Sequence, residues 1–101
     1  MQIPESFQLH GQIINVEYVA DLLNKSNSWG ECRLRENAIK FQASTESVTL
    51  PTTMIEQTFC HELMHYMLEH AESKLSSDEK FVNLMGNLLH QALSTMTYPK
   101  K

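Results

Sequence analysis

The chain has few of the residues that mark secreted, membrane-spanning or nucleic-acid-binding proteins. It carries two cysteines in 101 residues. Cys32 and Cys60 make no C-x-x-C pair and are too few for a disulfide framework, so both thiols are expected to be reduced. Eight Lys and Arg stand against twelve Asp and Glu, a net charge of -4. That balance leaves no basic stripe for nucleic acid or an anionic membrane. The only basic clusters, Arg33/Arg35 and Lys100-Lys101, read as solvated surface. No segment approaches the ~18 apolar residues of a membrane span. The opening "MQIPESFQLH" lacks both a basic n-region and an apolar run, so a cytoplasmic protein is expected. With three glycines and three prolines there is no linker or low-complexity tract, and residues 1–101 read as a single domain.

What is present divides into halves. The first half alternates in period two. In "SFQLHGQIINVEYV", Phe7/Leu9 and Ile14/Val16/Tyr18 flank His10-Gly11, which predicts a hairpin. "ADLLNKSNSWG" holds a short helical turn. "ECRLR" and "AIKFQA" then alternate across "EN", a second hairpin with Cys32/Leu34 and Ile39/Phe41 on one face. The second half has helical periodicity. One helix is expected over about 51–70, opened by Pro51 and a Thr53-x-x-Glu56 capping box and largely buried. Another spans about 77–97, with Phe81, Leu84, Met85, Leu88, Leu89, Ala92 and Met96 as its apolar stripe. Hairpins followed by two packed helices make a small α+β domain with an antiparallel or mixed sheet.

The chemistry lies in "TFCHELMHYMLEH", residues 58–70. His61-Glu62-x-x-His65 puts two imidazoles on one helical face, roughly 6 Å apart along the axis. Two histidines so placed can converge on one Zn²⁺ at about 2.0–2.1 Å. Glu62, one step round the helix, can act as base toward a water whose pKa the metal lowers to about 7. A catalytic zinc commonly has three protein ligands. His70 is out of register for the third, and Glu69 and Glu72 would lie about 12 and 16 Å along the axis from His61. The opening of the next helix offers Asp78 and Glu79. Glu79 shares a face with Asn83, Gly86 and His90, and Gly86 would let the two helices approach. Ser76-x-x-Glu79 is also a capping-box pattern, so Glu79 can equally serve as a cap.

"TFCHELMHYML" followed by "DEKFVNLMGNLLHQAL" resembles the small phage-type H-E-x-x-H zinc metallopeptidases related to ImmA/IrrE-like gluzincins. The resemblance covers about residues 55–93 and implies a minimal zincin-like domain. It implies zinc on His61, His65 and Glu79, and Glu62 as the catalytic base. The interval from His65 to Glu79 is short for the larger enzymes of that group. Tyr66, His70, His90 and Tyr98 remain open as donors to an oxyanion. "AIKFQA" is expected to be an edge strand that a peptide or protein substrate can extend. The competing expectations are a zinc-binding interaction module without catalysis and a zinc hydrolase of non-peptide amides. Oligomeric state is left open.

Overall fold

The computed structural model describes residues 1–100, and Lys101 of the basic tail pair lies outside the described residues. Strand β1 (Ser6–Leu9) turns through His10 and Gly11 into β2 (Gln12–Val19). Both turn residues take positive φ, 50° and 75°, as a two-residue hairpin loop matched to strand twist requires. Helix α1 (Leu22–Ser26) is a single turn ended by left-handed Asn27. Strand β3 (Gly30–Arg33) passes through a 3-10 turn at Leu34–Glu36 and left-handed Asn37 into β4 (Ala38–Gln42). Leu34 therefore leaves the strand and is exposed, and does not continue the Cys32 face as its alternation implied.

The two hairpins join into one mixed sheet of order β1-β2-β4-β3, with β2 and β4 parallel. This corrects the edge-strand assignment. Ala38–Gln42 is an interior strand, and Ala38, Ile39, Phe41 and Gln42 are all buried. Gln42 is wholly enclosed because its side chain is satisfied. Its Nε2 donates to the Ala20 carbonyl at 2.7 Å, and its Oε1 accepts from the Leu23 amide at 2.7 Å. The edges are β1 and β3.

Helix α2 (Thr52–His70) runs 19 residues without glycine or proline and packs on the sheet through Phe59, Cys60 and Tyr66. Pro51 precedes it in an extended conformation, and no side chain caps its start. The predicted capping box does not form because Glu56 is used elsewhere. Its carboxylate lies 2.8 Å from His90 Nε2 and 3.3 Å from the Met1 amine. After a 3-10 turn at Lys74–Ser77, helix α3 (Glu79–Thr95) returns along α2. Its buried residues are Val82 and Gly86, while Leu84 and Leu88 are 57% and 51% exposed. The apolar stripe is thus rotated from its expected position, and Gly86 is the reason. A Cβ built on Gly86 would sit 3.1 Å from His61 Cα, so only glycine lets the helices meet this closely. No described helix is long and apolar enough to cross a membrane.

Candidate metal centre

The close approach of α3 at Gly86 carries its first residue to the motif histidines. His61 Nε2 lies 3.4 Å and His65 Nε2 3.1 Å from the two carboxylate oxygens of Glu79. One donor atom from each of the three residues falls within 4.8 Å of the other two. The two rings face each other edge-on at 4.8 Å between centroids. Among the described residues this is the one group of three His, Cys, Asp or Glu side chains so arranged.

The competing role for Glu79 is taken by its neighbour. Asp78 is the N-cap of α3, and its Oδ1 accepts from the Phe81 amide at 3.1 Å. Ser76, the other half of the supposed capping box, lies in the 3-10 turn and is buried, with Oγ 3.3 Å from His65 Nδ1. That contact orients the imidazole and leaves Nε2 free for a metal, the usual arrangement behind a ligating histidine. Two imidazole nitrogens and a carboxylate oxygen, one ring already held from behind, form a donor set suited to a divalent transition metal, Zn²⁺ among them.

Glu62 is buried and turned toward β3. Burial pushes its carboxyl above the ordinary carboxylate range, and Glu79 adds to the rise. The imidazoles of His61 and His65 and a hydrogen bond from Cys32 act in the opposite sense. The Cys32 thiol donates to the Glu62 carbonyl at 3.0 Å and lies 3.5 Å from its Oε1. Burial, and then the charge of Glu62, raise the Cys32 thiol, so it stays protonated as a donor. Strand β3 comes this near because residue 30 is glycine. A Cβ there would meet Thr58 Cγ2 at 2.6 Å and Glu62 Cγ at 3.4 Å.

Beside His61 and Glu62 opens a cleft of about 370 Å³, lined by Trp29 and Gly30 from the β3 side and by Gln57, Thr58, Asn83 and Asn87 from the two helices. Its lining is polar and, apart from Glu62 and His61, carries no ionisable group. The larger cavity, about 710 Å³, is apolar and sits elsewhere, among Phe7, Phe59, Leu63, Met67, Leu93 and Met96.

Of the four residues considered as oxyanion donors, His70, His90 and Tyr98 are engaged with other residues. The Tyr66 hydroxyl is buried, with no hydrogen-bond partner among the described residues. His70 contacts His10, and His90 contacts Glu56 and not Glu79. Tyr98 is 77% exposed beside Met96. Sequence reasoning missed Ser76 and Cys32. Ser76 lies in a 3-10 turn and Cys32 in a strand thirty residues before Glu62, so neither shares the motif's periodicity, and both reach it only through the tertiary fold. Cys60 is fully buried, and burial pushes its thiol up to about 11. Comparison of the chain with protein-family models, with curated proteins and with solved structures finds no match.

Proposed function

We propose that the chain is a zinc-dependent peptide-bond hydrolase of minimal zincin-like design, with His61, His65 and Glu79 as metal ligands and Glu62 as the catalytic base. The observation that supports it is the convergence of those three donors next to a buried glutamate at the mouth of an open polar cleft. A zinc ion held there supplies Lewis acidity, polarising a carbonyl and lowering the pKa of water. Glu62 moves the proton: it accepts one from the attacking water and returns it to the leaving amine. Cys32 and the β3 backbone fix its position. The free edge of β3 borders the cleft and can receive an extended peptide by strand addition, the role first expected of Ala38–Gln42. A peptide or protein is the substrate class this favours.

A specific observation favours a second reading, a zinc-containing interaction module. The larger apolar cavity lies away from the metal centre, as it would if binding and not hydrolysis were the main task. One experiment separates the two. Zinc-loaded wild type and Glu62→Gln are incubated with a defined peptide library, and the products are read by mass spectrometry alongside zinc content. Cleavage by wild type, reduced about 10²–10⁴-fold in Glu62→Gln at equal zinc content, is the expected result. Equal cleavage by both proteins refutes Glu62 as base. Bound zinc without cleavage supports the interaction module, and no bound zinc refutes both readings.

A further inference from the structure

A second pair of imidazoles lies at the end of α2. His70 Nδ1 is 3.1 Å from Nδ1 of His10, sixty residues away in sequence, in the β1–β2 turn. The ring centroids are 5.2 Å apart and the planes tilted by 51°. The His70 ring is held from behind, and the exposed His10 ring meets it from the turn. His10 occupies the first left-handed position of a tight turn, where its backbone conformation is narrowly defined. His70 stacks on Tyr66 at 5.3 Å and 21°, and Tyr66 is itself completely buried. The two imidazoles border a shallow recess of about 200 Å³ shared with Leu9, Met67 and Ala71.

We propose that His10 and His70 hold a divalent transition-metal ion at a site separate from the His61/His65/Glu79 group. Tetrahedral zinc with bonds of about 2.0–2.1 Å places its ligand nitrogens about 3.3 Å apart, close to the observed spacing. The 3.1 Å here equals the separation of His65 Nε2 and Glu79 Oε1 in the first group. The pair lies at the C-terminal end of a 19-residue helix, where the helix dipole favours positive charge, in a chain of net charge -4. Imidazole donors suit Zn²⁺, Cu²⁺ and Ni²⁺, and the exposed position of His10 leaves the remaining coordination to water. Met67 lines the same recess. An ion at this site ties the first hairpin to the end of the motif helix. The competing arrangement is a single N–H···N bond between neutral rings, which takes up no metal.

The test is zinc content per chain after equilibrium dialysis against free Zn²⁺, for wild type, His10→Asn, His70→Gln and the double variant His61→Ala/His65→Ala. Asn tolerates the left-handed turn and Gln the helix, so the first two variants retain the fold. Two zinc ions in wild type and one in each variant is the expected result. A wild-type content that His10→Asn and His70→Gln leave unchanged overturns the proposal. Zinc lost only in those two variants supports this site and refutes the first group. Zinc lost only in the double variant does the reverse, and none in wild type refutes both. In unmodified protein, long-range ¹H–¹⁵N spectra give an independent readout. Zinc shifts the Nδ1 resonances of His10 and His70 if they ligate it, and unshifted resonances overturn the proposal.

Discussion

Replacing Gly86 with alanine tests whether helix approach assembles the proposed metal centre. The added Cβ would sit 3.1 Å from His61 Cα and 3.3 Å from His61 N, both backbone atoms that cannot swing aside. Ordinary carbon contacts are about 3.5–4.0 Å, so α3 must withdraw by roughly 0.5 Å at that point. Glu79 is two turns away on the same helix, about 10 Å along the axis, and moves with it. Metal sites tolerate departures of about ±0.2 Å, so the carboxylate no longer reaches the position the histidines define. Zinc affinity is expected to fall about 10–100-fold, the range seen when a ligand's support is disturbed. Stability responds differently. Alanine gains about 1 kcal/mol over glycine in a helix, and overpacking costs about 1–3 kcal/mol. The metal-free protein should then lose about 1 kcal/mol, or roughly 4–8 °C in Tm. Chelator competition measures the affinity, and thermal melts with and without zinc measure the rest. Unchanged affinity with a raised Tm would refute the reasoning, because it would show the helices free to separate without consequence.

Asp78 and Glu79 are adjacent carboxylates with opposite expected effects. Asp78→Ala should cost about 1 kcal/mol of stability by uncapping α3 and leave zinc affinity intact, whereas Glu79→Gln should weaken zinc binding with the helix retained. Circular-dichroism melts and zinc titration of both variants check this, and matching effects would refute the division of roles. Glu56 bears on acid stability. The hydrogen bond with His90, followed by the Met1 amine, holds its carboxyl below the ordinary value against the effect of burial. Its contribution is therefore present above the unfolded carboxylate value of about 4.3 and is lost as pH falls through the lower folded value. Urea midpoints measured from about pH 3 to 7 should show a flatter acid limb in Glu56→Gln than in wild type, and parallel curves would refute the assignment.

Local spacing was legible in the sequence, and direction in space was not. The histidine pair depends on a four-residue interval within one helix, and both helix spans follow from periodicity to within two or three residues. The interior position of Ala38–Gln42 was hidden because its parallel partner is β2, reached across α1 and β3. Lys40 added to the error. A charge in mid-strand reads as an edge device, yet its amine reaches Glu36 at 3.0 Å, one turn back in the chain. Apolar counting likewise placed Leu84 and Leu88 inside α3, since a helical wheel gives the width of a stripe and leaves its rotation against a neighbour undetermined. Glycine supplies that missing rotation. Of the chain's three glycines, Gly11 makes the hairpin turn, while Gly30 and Gly86 bring β3 and α3 against α2, at Thr58 and at His61, on either side of the motif's start. A side chain at either position would push its element away from the motif. In a chain with so little glycine, its positions locate the site as well as the histidines do.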